Sequence, residues 1–155
     1  MGKELERKYL VKGPIPDTFL QEPDFIQQGY FFVEKDKHLR VRITWDTDRV
    51  PTANLGLKYT DKILRDEYEP TIPFSDAEEI MERCEWKLEK TRVTSTINSL
   101  TASLDTYPDG LQVIEVEFEF EQDYLKFVAP EWFGDEISGV YVYSNITLAK
   151  QNLKF

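Results

Sequence analysis

The sequence predicts a mainly β fold of the α+β class, in which about eight antiparallel strands form a closed or nearly closed sheet. Three observations support this prediction. Most segments alternate polar and apolar residues with a period of two, which is typical of strands with one buried face. Short polar turns join these segments, which favours antiparallel neighbours. Few segments have the apolar spacing of a helix, so the helices are expected at the periphery of the sheet.

Eight segments alternate clearly enough to be predicted as strands. The last of them has the clearest pattern, because four glutamates alternate with four large apolar residues. Polar turns such as Pro108-Asp109-Gly110 separate neighbouring strands. The predicted strands are residues 4–11, 25–34, 39–44, 55–60, 64–72, 88–97, 100–106 and 112–121.

Four segments are predicted to be helical. A short helix follows Asp17, which is a suitable N-cap residue. A longer helix is expected to begin at Ser75, because Glu78 lies at the capping-box spacing and an apolar stripe follows. Two more short helices are predicted at residues 122–128 and 145–152.

Length and charge limit the classes of function. A chain of 155 residues fits one domain, residues 1–155. Its net charge of -10 argues against a nucleic-acid binder, which needs a basic surface. Cys84 is the only cysteine, which excludes an internal disulfide and argues against a zinc cluster. The first fifteen residues carry charges throughout, and the longest apolar run, residues 30–33, is too short to span a membrane. A cytoplasmic protein without membrane contact is therefore expected.

The first predicted strand contains an E-x-E-x-K motif. Alternation places Glu4, Glu6 and Lys8 on one face and apolar residues on the other. Two carboxylates and an ammonium in a row can hold a divalent cation and an anion together. Taken alone, the motif is also typical of a solvated strand face. Whether it is a binding site depends on whether the other strands repeat the pattern.

Nearly every other predicted strand also carries charges that alternate with apolar residues. This face is either the exterior of a barrel or its lumen, and composition does not distinguish the two. The bases are Lys8, Arg40, Arg42, Lys58, Arg65, Lys90 and Arg92, and the acids are Glu4, Glu6, Glu67, Glu69, Glu115 and Glu117.

These charges are clustered by sign. Arg40, Arg42 and Lys58 come from neighbouring strands, whereas the acids form like-charge pairs two residues apart, such as Glu115 and Glu117. Like charges on one face destabilise a sheet unless something neutralises them. Paired carboxylates favour hard divalent cations, and clustered Arg and Lys favour phosphate oxygens. A metal-bound polyphosphate satisfies both requirements.

A series of motifs in a fixed order extends over nearly the whole chain. They are Glu4-Leu5-Glu6-Arg7-Lys8, Gln28-Gly29-Tyr30, Arg40-Val41-Arg42-Ile43, Leu57-Lys58, Arg65-Asp66-Glu67-Tyr68-Glu69, Lys90-Thr91-Arg92, Asp105, Glu115-Val116-Glu117 and Trp132-Phe133-Gly134. In this order and spacing the chain resembles the CYTH domain, or triphosphate tunnel metalloenzyme, superfamily. The resemblance implies an eight-stranded antiparallel tunnel with the charged face inward and a C-terminal plug helix, which hydrolyses or cyclises triphosphates with Mg²⁺ or Mn²⁺.

The resemblance also implies roles for individual residues. One metal would bridge the phosphates and a second would activate the attacking water. In short bacterial members a Lys and a Tyr assist the nucleophile, which here implies Lys90 and Tyr30. The implied phosphate-binding residues are Lys8, Arg40, Arg42, Lys58, Arg92 and Arg65, and the implied metal-binding residues are Glu4, Glu6, Glu67, Glu69, Glu115 and Glu117.

One segment departs from the family pattern. Where the family commonly has Asp-x-Arg-Tyr before the plug helix, this chain has Val140-Tyr141-Val142-Tyr143. A metal or substrate contact from that segment is therefore not expected, and activity or substrate preference could differ from that of relatives.

Three functions fit this resemblance. The favoured prediction is hydrolysis of inorganic tripolyphosphate, because the short chain offers no extra segment for reading a base. The alternatives are a class IV-type adenylate cyclase or a thiamine or nucleoside triphosphatase, and a polyphosphate-binding module without turnover. His38 and Cys84 are predicted to be structural. Phe31, Phe118 and Phe120 are predicted to pack on the outer face or to form the contact of a homodimer.

Overall fold

The computed structural model describes the backbone of residues 2–34, 37–61 and 64–155, and the side chains of residues 5–34, 37–58 and 68–155. The strands are β1 (Gly2–Val11), β2 (Asp24–Val33), β3 (Lys37–Trp45), β4 (Pro51–Asp61), β5 (Leu64–Tyr68), β6 (Trp86–Ile97), β7 (Leu100–Thr106), β8 (Gln112–Glu117) and β9 (Phe133–Glu136). The α-helices are α1 (Phe74–Glu82), α2 (Glu121–Lys126) and α3 (Asn145–Ala149), and 3₁₀-helices lie at Asp17–Phe19 and Tyr141–Tyr143.

The strands form an antiparallel sheet in the order β5-β4-β3-β2-β6-β7-β8-β1-β9. β1 also pairs with β5, where Gly2 lies opposite Glu67 and Leu5 opposite Leu64. The first eight strands of this order therefore form a ring, which confirms the predicted eight-stranded antiparallel barrel. β9 was not predicted, and it pairs with the C-terminal part of β1.

The outward faces of the strands are covered by α1, α2 and β9. Val41 and Ile43 of β3 are buried against Ala77 and Met81 of α1. A second cluster, around Ile114 of β8, is covered by α2 and β9. Each fully buried aliphatic side chain contributes about 1.5–3 kcal/mol, so the outer clusters stabilise the barrel from outside.

A third apolar cluster lies inside the barrel and surrounds α3. Leu148 and Ala149 of this helix are buried against Tyr30, Leu88 and Val113, which come from three different strands. α3 therefore packs on the inner face at one end, as the predicted plug helix requires.

Two element boundaries differ from the sequence prediction. β8 ends at Glu117; the N–H of Phe118 still donates to Leu5 O of β1, and the chain then turns into α2 at Glu121. The middle helix begins at Phe74, and its N-cap is Pro73, whose carbonyl accepts from Ala77 N. The prediction of Ser75 as the N-cap was therefore wrong, since proline fixes an extended entry two residues earlier.

The three phenylalanines that were singled out have different environments. Phe118 is buried against the rings of Tyr124 and Phe127. Phe31 and Phe120 are exposed. The homodimer stays a prediction. Among the described residues, no helix has the length and apolar character needed to cross a membrane.

Candidate active site

Strand pairing places the charged side chains on the inner face of the barrel. Arg42 lies opposite Gln28, and Lys8 lies opposite Glu115. Directly opposite residues of neighbouring strands point to the same face. Gln28 and Glu115 are each two residues away from a member of the cluster around α3, so this common face is the lumen. The lumen, rather than the exterior, therefore carries the alternating charges.

Asp105 on β7 is at the centre of the best-defined ion-pair network. Arg92 donates from Nε to Asp105 Oδ1 at 2.7 Å and from Nη2 to Oδ2 at 2.9 Å. Lys90 Nζ lies 2.8 Å from the same Oδ2. Burial alone would raise the pKa of Asp105, but the charges of Arg92 and Lys90 outweigh it and lower that pKa to about 2. Asp105 is therefore a fixed anion that positions two cations.

Lys90 is fully buried, with 0% of its surface exposed. Its pKa lies well below the usual value, because burial disfavours the ammonium and Arg92 and Arg42 repel it, against the attraction of Asp105. The Lys90 ammonium therefore gives up its proton more readily than that of an exposed lysine. Lys90 Nζ also donates to Asn145 Oδ1 at 3.3 Å.

Gln28 connects Arg42 to Tyr30. Arg42 Nε donates to Gln28 Oε1 at 3.0 Å, and Gln28 Nε2 donates to the Tyr30 hydroxyl at 3.2 Å. Since the Tyr30 hydroxyl accepts from Gln28, its own proton is available for another acceptor. The amide thus orients one predicted phosphate-binding residue and one predicted catalytic residue together.

Arg42 lies where several cations converge. Burial and, to a lesser extent, the charges of Arg40 and Arg92 together lower its pKa to about 9, while Glu69 opposes them. A guanidinium ordinarily keeps its proton in proteins. Among the described residues, repulsion by Arg40 and Arg92 therefore outweighs the attraction of Glu69, in addition to the larger effect of burial. An anion is the group that would relieve this repulsion.

Arg40 is held by contacts on two sides. Its Nη2 donates to Glu69 Oε1, and its guanidinium lies across Gly56 on the neighbouring strand. A Cβ added at Gly56 would lie 3.0 Å from Arg40 Nε. The absence of a side chain at Gly56 therefore lets Arg40 lie flat against β4.

Glu6, Lys8 and Glu115 form the acidic part of the site. Glu6 and Lys8 are buried on β1, and Lys8 Nζ lies 3.6 Å from Glu115 Oε2. Burial would raise the pKa of Glu115, but a hydrogen bond with Glu6 and the charges of Lys8 and Arg92 lower it well below its usual range. The two carboxyl groups thus interact directly.

The remaining predicted residues lie at the edges of this arrangement. Glu117 is exposed and lies opposite Glu6, and Lys58 is half-buried opposite His38. The side chains of three predicted site residues fall outside the described residues, and these are Glu4, Arg65 and Glu67.

The donor atoms available fit a hard divalent cation. In the part of the chain with described side chains, no three acidic, histidine or cysteine side chains form a ready metal-binding group. The contact between Glu6 and Glu115 nevertheless brings carboxylate oxygens together, and oxygens are the ligands that Mg²⁺ and Mn²⁺ prefer. Glu6 and Glu115 therefore fit such an ion as part of a larger ligand set.

Three residues of the site received no role from the sequence. They are Gln28, Asp105 and Asn145. Gln28 and Asp105 belong to the motifs of the family resemblance, and Asp105 is also the only charged residue of its strand, where it alternates with the polar Ser103 on the inner face. Asn145 is neutral and lies outside the motifs named above.

The residues predicted to be structural lie outside the ion-pair network. Cys84 is buried under α1, where burial raises the pKa of its thiol to about 11. The ring of His38 lies edge-on to Tyr30 at 5.4 Å. Val140 and Val142, at the family's Asp and Arg positions, are both exposed.

Comparison with known proteins identifies similar chains of the same length. No family model matches the chain. A relative named inorganic triphosphatase, from Acetivibrio thermocellus, is 36% identical over 160 residues, which span 99% of this chain and 97% of that protein. A second, also named inorganic triphosphatase, from Nitrosomonas europaea, is 32% identical over 94% of this chain and 96% of its own length.

Solved structures agree with these relatives. The crystal structure of an inorganic triphosphatase matches with a TM-score of 0.63 and 29% identity, over 96% of this chain and 95% of that chain. A structure proposed to be an adenylate cyclase, from Bacillus halodurans, matches with a TM-score of 0.54 over 81% of this chain and 86% of that chain. At 20% identity, the second likeness shows the fold alone.

Proposed function

Because the chain belongs to the CYTH-domain, or triphosphate tunnel metalloenzyme, superfamily and is a triphosphatase, we propose that it hydrolyses inorganic tripolyphosphate inside the barrel. Water attacks a terminal phosphoryl group, which leaves orthophosphate and pyrophosphate. The choice of the inorganic substrate is supported by both relatives, which are named inorganic triphosphatase and match over nearly their full length.

The observation that carries this proposal is the convergence of Arg40, Arg42 and Arg92 on the inner face. Burial, together with repulsion from Arg40 and Arg92, lowers the pKa of Arg42 to about 9. Phosphate oxygens supply the missing negative charge and match the fork of a guanidinium. Phosphoryl transfer depends mainly on positioning and charge neutralisation, which this cluster provides.

The acidic part of the site is proposed to hold Mg²⁺ or Mn²⁺. Glu6 and Glu115 are the best-placed ligands, and Glu4, Glu67, Glu69 and Glu117 complete the proposed set. When bound, a divalent cation supplies positive charge against the phosphate oxygens and lowers the pKa of a coordinated water.

Lys90 and Tyr30 are proposed to act beside the reacting phosphoryl group. Asp105, at 2.8 Å from Lys90 Nζ, accepts one N–H of its ammonium and so limits the orientations that the ammonium can take. Tyr30 receives a hydrogen bond from Gln28 and can donate its own proton to a phosphate oxygen or to water. Lys8, Arg40, Arg42, Lys58, Arg65 and Arg92 are proposed to bind the phosphates.

A phosphate-release assay with Mg²⁺ and with Mn²⁺ tests the substrate. Tripolyphosphate, ATP and thiamine triphosphate are compared at equal concentration, and we expect tripolyphosphate to be hydrolysed fastest. Faster phosphate release from ATP or thiamine triphosphate would contradict the proposed substrate and identify that compound as the preferred one. Conversion of ATP to a cyclic product would indicate an adenylate cyclase instead. Absence of release from all three, with retained binding, would indicate a polyphosphate-binding module.

A pair of charge-matched variants tests the acidic site. We expect Glu6→Gln to abolish metal-dependent turnover, because it removes a carboxylate from the pair with Glu115. Glu119→Gln makes the same chemical change at an exposed position beyond β8 and should keep full activity. Equal activity of the two variants would remove Glu6 from the site.

A binding measurement tests the site without turnover. A ligand at about 100 times its Kd stabilises the folded protein by about 2.7 kcal/mol. Tripolyphosphate with metal should therefore raise the Tm at millimolar concentration, and it should raise the Tm less in Arg42→Ala. An unchanged Tm of the unsubstituted protein would argue against a site for this anion.

A further inference from the structure

Asn145 joins the plug helix to the buried lysine. It is the first residue of α3, whose Leu148 and Ala149 are buried inside the barrel. Its Oδ1 accepts a hydrogen bond from the Tyr107 hydroxyl at 2.7 Å and another from Lys90 Nζ at 3.3 Å. A single side-chain oxygen on the plug therefore contacts both Lys90 on β6 and Tyr107, which directly follows β7.

The donors around Asn145 determine which way its amide points. An ammonium can only donate, so the oxygen rather than the NH₂ group must face Lys90. Tyr107 is fully buried among charged groups, and its pKa lies well above the usual value because of burial and the nearby Asp105. Tyr107 therefore keeps its proton and can donate it to Asn145. The Tyr107 hydroxyl holds the amide in the orientation that Lys90 requires.

The contact between Asn145 and Lys90 affects the orientation of the Lys90 ammonium. An ammonium has three N–H donors. In the described part of the chain, Asp105 at 2.8 Å and Asn145 at 3.3 Å account for two of them. With two acceptors fixed on different elements, the direction of the third N–H is also fixed. Loss of either acceptor would let the ammonium rotate.

We propose that Asn145 is a positioning residue for the reaction: it fixes the Lys90 ammonium so that one N–H is directed at the bound triphosphate or the attacking water. Tyr107 supports it by orienting the amide. This inference rests on the proposed function, because that function assigns Lys90 to the reaction. It extends the role of α3 from closing one end of the barrel to completing the active site.

Kinetics of Asn145→Ala test the positioning role. We expect kcat for tripolyphosphate to fall roughly tenfold to a hundredfold, as small misplacements of a reacting group do, while KM changes less than twofold. Tyr107→Phe keeps the ring and removes the hydroxyl, so it should lower kcat by a smaller factor. The double variant should be no slower than Asn145→Ala alone, because both changes remove the same support.

The pH profile separates positioning from a merely structural contact. The charged and titratable groups that face Lys90 are Asp105 on β7, Tyr107 directly after β7, Arg92 on β6 and Arg42 on β3. Asn145→Asp adds a carboxylate beside the ammonium and should raise its pKa by about one unit or more. The limb of the kcat profile that reports Lys90 should move to higher pH by the same amount. Aspartate is also favourable in the first turn of a helix, so α3 should remain folded.

Asn152→Asp provides the matched control. Asn152 lies in the same C-terminal segment and accepts from Lys87 N, away from the Lys90 ammonium. It makes the same chemical change and should leave the pH profile unshifted. An equal shift in both variants would show a general charge effect and overturn the proposal.

NMR of protein with ¹³C at lysine Cε gives a readout that does not need turnover. The Lys90 signal is assigned with Lys90→Arg, and its pKa is followed in each variant. If the unsubstituted protein hydrolyses no triphosphate, the proposed function fails, whereas the NMR titration still shows whether Asn145 contacts Lys90. An NMR shift in Asn145→Asp without a shift of the kinetic limb, or unchanged kcat in Asn145→Ala, would overturn the positioning role.

Discussion

Asp105 and Arg92 form a bidentate ion pair inside the barrel, with donor–acceptor distances of 2.7 and 2.9 Å. Asp105 is 4% exposed. Two parallel hydrogen bonds fix both the distance and the plane of the guanidinium. In a buried setting, the loss of one partner leaves an uncompensated charge, which costs more than the pair itself contributes. The stability of the barrel should therefore depend strongly on Asp105.

The first prediction is that Asp105→Asn lowers the free energy of unfolding by about 3–5 kcal/mol. The amide keeps the shape of the side chain but removes the negative charge, so Arg92 and Lys90 are left facing each other. Urea unfolding at pH 7, followed by circular dichroism, measures the change. Glu136→Gln breaks the partly exposed pair with Arg7 at 2.6 Å and should cost only about 1 kcal/mol or less. Similar losses in the two variants would contradict the prediction.

The second prediction concerns acid pH. The folded pKa of Asp105 is about 2, below the value of 3.8 for a free aspartate. A lowered carboxyl pKa stabilises the folded state fully above pH 4, and this contribution is lost as pH falls through 2. The difference in unfolding free energy between the unsubstituted protein and Asp105→Asn should therefore shrink by about 2 kcal/mol over that range. A difference that stays constant with pH would mean that the carboxylate is not selectively stabilised.

The third prediction compares two arginines on opposite faces of the barrel. Arg40 is buried on the inner face beside Glu69, whereas Arg7 on the outer face pairs with Glu136 and lies 5.3 Å from the centre of the Tyr124 ring. Arg40→Ala should reduce kcat/KM for tripolyphosphate at least a hundredfold, because removal of a group that neutralises transition-state charge typically costs that much. Arg7→Ala should lower the Tm but leave kcat/KM nearly unchanged below the Tm. Equal kinetic effects would mean that the assignment of the inner face is wrong.

The fourth prediction concerns Gly29, which lies under α1. A Cβ added there would come within 2.6 Å of Cys84 Sγ and 2.8 Å of Met81 Sδ. Gly29→Ala should therefore destabilise the fold by about 1–3 kcal/mol through overpacking. The loss should be smaller when Cys84→Ala is combined with it, since one of the two clashing sulfurs is then removed. Thermal unfolding measures both changes, and additive losses would argue against the contact.

The strands could be predicted because each has one apolar face, and a period of two persists whichever neighbours it pairs with. β9 was missed because it has four residues and depends on pairing with β1 for its extended form. The entry into α1 was misplaced because the chain follows Pro73 rather than the capping box at Ser75. Local sequence patterns thus predicted most strands and helices, whereas contacts between distant segments determine where they begin and end.

The candidate site was less accessible to sequence reasoning. Charged residues such as Lys90 and Glu115 stood out by alternation, and strand pairing does place them on the inner face. Their individual roles stay predictions. Gln28 stood out only as part of the motif Gln28-Gly29-Tyr30, and neither Gln28 nor Asn145 could be given a role, because a neutral amide acquires its function only from the groups that the fold brings to it.

The packing of α3 on the inner face also limits how substrate and products can enter and leave the barrel. Because α3 closes one end, substrate must enter, and both products must leave, through the opposite end. Pyrophosphate that has not yet left would then stay bound to the Lys and Arg side chains that the next substrate needs. Release of pyrophosphate, rather than cleavage of the phosphoanhydride bond, would then limit kcat.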